Sequence, residues 1–431
     1  MPLHTKILLG LIAGAISGVT VNFFVGNGDE STGRFVSLVT EPIGRMWLNA
    51  LIMVVVPLII STLAVGVAGL GSLRRLGRIG VVTMMSFMSL TLISTVLGLA
   101  AVNLVRPGDG LEPELTERLI ETYQGQTEGA MGLAEGALSM DLLIRIIPRN
   151  PIQAAADGEM LAIIFFALML GVALTMLPEE KGAPMLRFLE SLGHVTVAII
   201  GLVMVVAPLG VFCLIFSVTA RFGFEILFNL MKYVGTVVGT LGLFVIVVYP
   251  LILKFVARRN PLEFLLKARV AVLTAFSTSS SSATLPTSLR VAQENLGISR
   301  GVAGFVLPLG ATLNMDGTAL FEGITVLFIA QVFGADLSLG AQAIVVLMSV
   351  VTSIGVAGIP GGSIPILMMV LSMVGVPVEG IAIVLGVDRI LDMCRTTVNV
   401  TGDLVCTAVV ERFQGDTANV DVDVSSGLVK S

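Results

Sequence analysis

The sequence has few charged residues and almost no histidine or tryptophan. Only 13% of its 431 residues are Asp, Glu, Lys or Arg, whereas soluble domains contain about 25%. It contains two histidines, one tryptophan and three cysteines, and the cysteines have neither disulfide-like nor metal-like spacing. These shortages exclude an ordinary soluble enzyme and a histidine-based metal site. The net charge of −5, without basic or aromatic clusters, excludes nucleic acid as a partner.

Enzyme motifs are also missing. The sequence has no GxxxxGK[ST] and no HExxH, so neither ATP-driven pumping nor zinc-dependent hydrolysis has a sequence basis. An intramembrane serine protease would need a general base, and neither His4 nor His194 lies near the serine run described below. We therefore predict that the chain is not an enzyme and has no cofactor.

Long apolar runs occupy most of the chain. Hydrophobic residues make up 55% of it, and stretches long enough to cross about 30 Å of hydrocarbon recur along its length. This pattern predicts an all-α polytopic membrane protein. The basic loops after the second and sixth spans indicate the cytoplasmic side, which places the acidic loop after the third span outside and both termini in the cytoplasm. The predicted spans are 7–25, 41–70, 78–105, 141–177, 190–218 and 227–256.

Beyond residue 260 the apolar segments are interrupted twice in the same way. The segment 262–292 is broken by STSSSSATLP (277–286), and the segment 341–374 is broken by SIGVAGIPGGSIP (353–365). Each predicts two half-helices that meet at a tip, followed by a long helix with polar residues inside it. Paired broken segments in corresponding positions are typical of inverted-repeat transporters and mark their binding sites.

A polar stripe lies in the run VDRILDMCRTTVNVTGD (387–403). Arg395 suits a carboxylate ligand because its planar fork donates two parallel hydrogen bonds. Asp392, three residues earlier, brings an anion beside this cation, so the pair could hold an acidic zwitterion. The alternative is an internal salt bridge that only fixes helix packing. Six residues fall on one helix face roughly 100° wide: Asp388, Asp392, Arg395, Thr396, Asn399 and Asp403.

The motif NMDGT (314–318) interrupts another apolar helix. An unwound turn there would expose carbonyl oxygens beside the amide oxygen of Asn314 and the carboxylate of Asp316. Such an all-oxygen pocket suits a monovalent cation, whereas a silent kink at Gly317 is the alternative. The serine run is less specific: it is either a flexible loop or a hairpin tip whose hydroxyl and N–H groups meet a carboxylate.

These motifs together resemble those of the dicarboxylate/amino-acid:cation symporters, the family of the glutamate and aspartate transporters. SSSSATLP, NMDGT, SIGVAGIPGG and DxxxDMCRTxxNVTGD follow one another in the family's order and spacing, and PRNPIQAAADGEMLAIIFFALMLGVAL and LRRLGRIG precede them. The similarity runs from about residue 5 to 412. It implies a glutamate-transporter fold, with eight transmembrane helices, two re-entrant helical hairpins and inverted repeats.

The same resemblance implies an activity and a location. The chain would be a secondary active symporter that imports L-aspartate or L-glutamate with a Na+ or H+ gradient, by an elevator mechanism. It would form a homotrimer in the lipid bilayer of the bacterial inner (plasma) membrane. A carrier of C4-dicarboxylates or neutral amino acids, or a gated anion channel, is the alternative.

A division into domains also follows from the resemblance. Residues 1–75 would belong to a scaffold and 76–110 to a mobile transport domain. Residues 111–222 would form an extracellular loop and the rest of the scaffold. Residues 223–412 would complete the transport domain, and 413–431 would be a cytoplasmic tail.

The resemblance assigns roles to individual residues. Arg395 would bind the substrate's side-chain carboxylate and Asp392 its amino group, and Arg395 favours an acidic substrate because relatives that carry neutral amino acids replace it. The substrate pocket would be completed by Asn399, Thr396, Thr318, Ser280, Ser281, Ser282, Ile359 and Ser363. The cation ligands would be Asp403, Asn399, Asn314, Gly310, Asp316, Thr312, Met315, Ser353, Ile354 and Thr91.

Two departures from the family pattern concern the ion and one arginine. Sodium-coupled archaeal members carry hydroxyl groups on the third span where this chain has Phe87, Leu90 and Thr91, and Val356 replaces a threonine. Because these changes remove oxygens, the coupling ion is left open between Na+ and H+. The arginine that archaeal members carry before the serines is Ser279 here. Arg389 instead follows Asp388, and either pairs with it or supports the substrate site from behind.

Overall fold

The computed structural model describes residues 3–25, 30–75, 78–109, 147–157, 160–222, 225–353 and 363–414. All regular secondary structure within these ranges is helical. Three predictions fall outside them: those for the acidic connection after residue 110, for the tip of the second broken segment and for the tail after Gln414.

The first half of the chain forms helices that include several long apolar ones. A π-helical turn (Val36–Thr40) joins the second of them to the third. Their bounds are α1 (Leu3–Val25), α2 (Glu30–Phe35), α3 (Glu41–Ile52), α4 (Val55–Arg75), α5 (Arg78–Val105), α6 (Pro151–Asp157), α7 (Met160–Met176), α8 (Glu179–Val205) and α9 (Ala207–Phe222).

The second half contains shorter helices, several of them paired end to end, and finishes with a helix of 34 residues. π-Helical turns follow two of them (Phe244–Val248 and Val291–Asn295), and a 3-10 turn (Val378–Gly380) precedes the last. The bounds are α10 (Glu225–Leu243), α11 (Tyr249–Phe255), α12 (Pro261–Thr278), α13 (Ser281–Arg290), α14 (Arg300–Leu313), α15 (Asp316–Val332), α16 (Leu339–Ser353), α17 (Ile364–Met373) and α18 (Ile381–Gln414).

Six stretches of the described residues are long and apolar enough to cross a membrane. This matches the prediction of a multi-pass membrane protein. α18 is not among them, because its charged residues lower its hydropathy. The six are Thr5–Phe24, Thr32–Ala68, Ile79–Val105, Glu179–Val205, Leu227–Phe255 and Arg300–Val332.

Two predicted spans differ from the helices observed. The predicted span 41–70 breaks between α3 and α4, and 190–218 is two helices, α8 and α9, that meet at Val206. Pro57 and Pro208 lie just after the two breaks. Proline has no backbone N–H, and its ring clashes with the carbonyl four residues earlier, which interrupts a helix. α8 also starts earlier than predicted. Charged residues such as Glu179 and Arg187 lower the hydropathy of its first turns, so these turns were not recognised as part of the span.

Glycines let helices of the first half approach closely. α1 lies along α9, and α4 lies along α7. A Cβ atom on Gly14 of α1 would come within 2.7 Å of the Phe212 carbonyl oxygen, and one on Gly171 of α7 within 2.8 Å of the Ala64 carbonyl oxygen. Larger side chains at these two positions would push the helices apart.

The second half packs around α18. This helix contacts α12, α14 and α15 as well as α5. α15 is buried almost around its whole circumference, which is the pattern of a helix in the centre of a bundle. The residues before it, Asn314 and Met315, are not helical, so α14 and α15 form one helix broken at NMDGT.

Contacts at the two ends of the bundle show which loops lie together. At one end, the Arg259 guanidinium donates to the Leu296 carbonyl, so α12 begins where the turn after α13 ends. At the other end, Arg106 after α5 pairs with Asp336 after α15 at 2.7 Å. Hydrogen bonds to Asp109 and Asp336 raise the pKa of Arg106 above its usual value.

Candidate functional site

The polar stripe lies on one continuous helix, as its spacing predicts. α18 runs without interruption through residues 387–403. Arg395 is only 1% exposed, which is exceptional for a guanidinium. The other five stripe residues, Asp388, Asp392, Thr396, Asn399 and Asp403, are buried as well.

Four charged residues of the stripe region form an ionic cluster, consisting of Asp388, Arg389, Asp392 and Arg395. Arg395 donates from Nη1 to Asp388 Oδ1 at 2.8 Å and from Nε to Asp392 Oδ1 at 3.0 Å. Its guanidinium carbon lies 4.3 Å from the centre of the Phe321 ring. Nη2 lies 3.0 Å from Asp392 Oδ1 as well, but it makes no hydrogen bond within the described residues, so it can still donate to a ligand carboxylate.

Arg389 contacts Asp392 rather than Asp388. Its Nη1 lies 3.4 Å from Asp392 Oδ2. Residues 388 and 389 are neighbours in a helix and point in different directions, whereas 389 and 392 are one turn apart on the same side. Of the two arrangements left open by the sequence, the structure shows Arg389 in contact with Asp392, the residue predicted to bind the substrate's amino group; a role in the substrate site stays a prediction.

A second group, the oxygen-rich pocket, consists of Asn314, Asp316, Asn399 and Asp403. Asn314 donates to Asp403 Oδ1 at 3.0 Å, and its own Oδ1 is buried without a partner in the described residues. Asp316 accepts hydrogen bonds from Thr91 at 3.2 Å and from Tyr249 at 3.1 Å. The pocket joins the break of the α14–α15 helix to α18 and α5.

Asn399 holds the unwound turn in place. Its Oδ1 accepts from the backbone N–H of Gly317 at 2.7 Å and of Thr318 at 3.3 Å, which satisfies two free donors at the start of α15. Its Nδ2 lies 3.1 Å from Thr318 Oγ1 and 3.2 Å from Met315 Sδ. One side chain thus contacts residues predicted for both the substrate and the cation site.

Glycines allow α18 to lie against the break. A Cβ atom on Gly317 would meet the Arg395 carbonyl at 2.5 Å, and one on Gly402 would overlap the Asp316 carboxylate. On α14, a Cβ on Gly310 would lie 2.5 Å from Asp403 Oδ1. The backbone of α14 therefore approaches this carboxylate closely, whereas a cation shared by the Gly310 carbonyl and Asp403 stays a prediction.

The chemistry of the oxygen-rich pocket suits a cation. Neither Asp316 nor Asp403 forms an ion pair with a described Lys or Arg, and both are buried. A buried carboxylate without a counter-charge is costly unless a cation or a proton neutralises it. The unpartnered Asn314 oxygen is an additional acceptor, and oxygen ligands of this kind suit hard cations.

Sequence reasoning missed Glu322 and Tyr249. Glu322 lies on α15 with 0% exposure, accepts from Thr352 of α16 at 3.3 Å, and has its Oε1 without a partner in the described part of the chain. The Tyr249 hydroxyl bridges Asp316 and the Val398 carbonyl. The signal for Glu322 was available, because an ionisable residue inside an apolar helix is a functional candidate by default. Tyr249 gave no comparable signal.

The serine run breaks its segment at the predicted place. Ser279 has the left-handed conformation with φ 50°, and Ser280 is extended and caps α13 by accepting from the Ala283 N–H at 3.1 Å. Ser281 is buried and Ser282 is exposed. Their contact with a substrate stays a prediction.

The remaining predicted residues differ in their surroundings. Thr312 has an exposed side chain, whereas Ser353 and Ser363 are buried. Phe87 and Leu90 are buried and supply no oxygen. Thr91, by contrast, keeps one hydroxyl group on Asp316. Three predicted positions lie outside the described residues, namely Ile354, Val356 and Ile359.

Comparisons with known proteins find relatives over nearly the whole length of the chain. Over 413 residues, the chain is 37% identical to the proton/sodium-glutamate symport protein of Bacillus subtilis (strain 168), covering 96% of this chain and 93% of the relative. It is 36% identical over 413 residues to the proton/glutamate-aspartate symporter of Escherichia coli (strain K12), covering 95% and 92%. It is 34% identical over 421 residues to the C4-dicarboxylate transport protein of Rhodospirillum rubrum, covering 96% and 89%.

The match to a family model covers nearly the whole chain. It extends over residues 3–413, which include the ionic cluster, the oxygen-rich pocket and both broken segments. The family is one of transporters rather than enzymes. This protein belongs to the sodium:dicarboxylate symporter family.

Proposed function

We propose that this protein is a symporter that imports acidic amino acids, L-aspartate or L-glutamate, with a cation gradient. The observation that carries this proposal is the buried Arg395, which pairs with Asp388 and Asp392 while its Nη2 makes no hydrogen bond within the described residues. Nη2 could donate to a substrate carboxylate, and Asp392 could accept an ammonium group. The names of the relatives, which are glutamate, glutamate-aspartate and C4-dicarboxylate transporters, support the same substrate class.

The contacts of Asn399 explain how the two sites would be coupled. A cation in the oxygen-rich pocket would draw Asn314, Asp316 and Asp403 together and fix the unwound turn. Asn399 ties this turn to α18 through the Gly317 and Thr318 N–H groups, only one helical turn from Arg395. Ordering the turn would therefore preorganise the substrate site, and the substrate would strengthen cation binding by the same factor.

The buried carboxylates leave two candidates for the coupling ion. Asp316, Asp403 and Asn314 offer oxygens to Na+. Glu322 lies between α15 and α16, where it accepts from Thr352 and its Oε1 has no hydrogen-bond partner within the described residues. Binding a proton would remove the cost of burying its charge. The relatives are called proton, or proton/sodium, symporters, which is compatible with either ion or with both.

The proposed architecture has eight transmembrane helices, two re-entrant hairpins and inverted repeats. The pairing of α1 with α9 and of α4 with α7 supports the repeats. A repeat that relates α1 to α7 and α4 to α9 would convert one pairing into the other. The Arg259–Leu296 contact supports a first hairpin (α12–α13) that returns to the side from which it starts. For the second hairpin (α16–α17), Gly380 after it packs on Phe333 before it.

The elevator mechanism, the homotrimer and the bacterial inner membrane complete the proposal. Residues 1–75 and 111–222 would form the scaffold, and 76–110 and 223–412 the moving domain, with a cytoplasmic tail at 413–431. Support comes from the packing of α18 with α5, α12, α14 and α15, which keeps both clusters within one unit. The mass of the detergent-solubilised protein, measured by light scattering, tests the trimer.

Uptake into proteoliposomes tests the activity. Labelled L-aspartate is offered with an inward Na+ gradient, an inward H+ gradient, both, or neither, and liposomes without protein are the control. We expect accumulation that requires at least one of the two gradients. Uptake that ignores both would contradict symport and favour a channel, and accumulation of a neutral amino acid instead of aspartate would contradict the substrate class.

A further inference from the structure

The proposed function leaves Arg389 without a role. Its Nη1 lies 3.4 Å from Asp392 Oδ2, its side chain is 19% exposed, and its Nε is buried without a hydrogen-bond partner in the described residues. A cavity of about 10 Å³ beside it, lined also by Trp47 and Met204, has room for roughly one water molecule. Arg389 is therefore held loosely, by one long contact.

Arg395 is held in the opposite way. It pairs with Asp388 at 2.8 Å and with Asp392 at 3.0 Å, its side chain is 2% exposed, and it stacks on Phe321. Of the two guanidinium groups on Asp392, Arg395 is the fixed one and Arg389 is the one that a ligand can displace.

The charges of the ionic cluster balance only when Arg389 is counted. Asp388 and Asp392 carry two negative charges, and Arg389 and Arg395 carry two positive charges. Without Arg389 the cluster would have a net charge of −1 beside the place where an acidic solute binds. Charges a few ångströms apart interact strongly in a site shielded from water.

Acidic solutes with and without an amino group would use Arg389 differently. An amino acid brings its own ammonium group to Asp392 and competes there with Arg389 for Oδ2. A dicarboxylate without an amino group offers Asp392 no positive charge, and without Arg389 the net negative charge of the ionic cluster would repel it. Arg389 in its observed place removes this repulsion.

We propose that Arg389 is a specificity-determining residue that takes the place of the substrate's ammonium group on Asp392. It lets one site accept C4-dicarboxylates as well as acidic amino acids. This inference rests on the proposed function, because it assumes that Arg395 and Asp392 form the substrate site.

Binding of two ligands that differ in the amino group tests the inference. The full-length protein is titrated with L-aspartate and with succinate by calorimetry, at saturating Na+ and a fixed pH, and R389Q is compared with the wild type. We expect the Kd for succinate to rise about tenfold or more in R389Q, and the Kd for aspartate to stay or to fall. The conservative variant R389K keeps the charge and should keep the wild-type ratio within about threefold.

A double-mutant cycle separates this role from a structural one. D392N removes the charge that Arg389 neutralises, so adding R389Q to D392N should no longer weaken succinate binding. Loss of both ligands to the same extent in R389Q, or an equal effect of R389Q in the D392N background, would overturn the inference. If R389Q does not fold, R389M replaces it in the same cycle, since it also removes the charge, and the same outcomes apply.

The outcome for the wild type separates the inference from the proposed function. Binding of neither ligand would refute the proposed function, and the inference with it. Binding of aspartate but not of succinate would leave the proposed function intact and overturn only the role of Arg389. Melting temperatures of all variants, with R187Q on the exposed surface of α8 as the matched arginine control, exclude unfolding as the cause.

Discussion

At the scale of single residues, the site depends on buried groups that lack ordinary partners. Arg395 Nη2, Asn314 Oδ1 and Glu322 Oε1 are buried without a hydrogen bond in the described part of the chain. Buried polar atoms are normally satisfied, and each exception requires an explanation. A ligand carboxylate for the first and a cation or proton for the other two would supply the missing partners.

Replacing Arg395 by Cys should abolish uptake of acidic substrates. The variant removes the carboxylate-binding fork, and we expect uptake to fall by at least about 100-fold. It also leaves Asp388 and Asp392 buried without this cation, which should cost about 3–5 kcal/mol of stability. R187C is the control for uptake and melting temperature. Unchanged aspartate affinity in R395C would remove this residue from the site.

Replacing Asp403 by Asn should weaken the cation site while sparing the helix. The amide keeps the shape of the side chain and removes one charge from the oxygen-rich pocket, so we expect Na+ affinity to fall about tenfold or more. Na+-dependent thermal stabilisation measures it. The same change at the exposed residue Asp336 is the control. A D403N protein with wild-type Na+ affinity would show that the cation binds elsewhere.

At the scale of elements, the site exists because a broken helix and a continuous helix touch. α14 ends and α15 begins at NMDGT. α18 passes this break with Gly402 against the Asp316 carboxylate and the Tyr249 hydroxyl. The interruption at Asn314 and the polar stripe follow from the sequence. Their mutual contact does not, because the two motifs are far apart in the chain and only packing brings them together.

Replacing Gly402 by Ala should separate these elements. The added methyl group would overlap Asp316, and such overpacking costs about 1–3 kcal/mol. We expect a lower melting temperature together with weaker Na+ binding. G304A on α14 is the matched control, since nothing lies within 4 Å of a Cβ there, and alanine favours a helix. Equal effects of the two substitutions would contradict the close approach at Gly402.

At the scale of the whole molecule, the loops at the two ends of the bundle define the topology. Arg259 meets Leu296, and Ser299 meets Glu411 at 2.8 Å, so the start of α12, the start of α14 and the end of α18 share one end. Arg106 and Asp336 share the other. If the first broken segment were a full span, residues 258 and 300 would lie on opposite sides of the membrane.

Labelling of single cysteines tests this topology. R258C, R300C and D336C are placed in a background without Cys213, Cys394 and Cys406 and treated with a membrane-impermeant maleimide. We expect D336C to react from outside, and R258C and R300C to react only in inverted vesicles, because the positive-inside rule predicts that the basic loop before α12 is cytoplasmic. Reaction of R258C and R300C from opposite sides would contradict a re-entrant hairpin.

Much of the protein follows from its sequence alone. The apolar runs determine a multi-pass helical membrane protein, because backbone polar groups in lipid must be satisfied within helices. The charges of α18 and the NMDGT interruption mark the candidate functional residues, since buried charges are too costly to be incidental. The kinks after Met53 and at Val206 were not predicted, although Pro57 and Pro208 were visible, because hydropathy does not register a proline.

Only the tertiary structure decided which residues meet. It placed Arg389 on Asp392 instead of Asp388, brought Thr91 and Tyr249 to Asp316, and set Glu322 against Thr352. The sequence could not predict these contacts, because helical periodicity determines the helix face on which a side chain lies but not the neighbour that this face meets. Long-range packing, down to the missing Cβ of Gly402, fixes the neighbour.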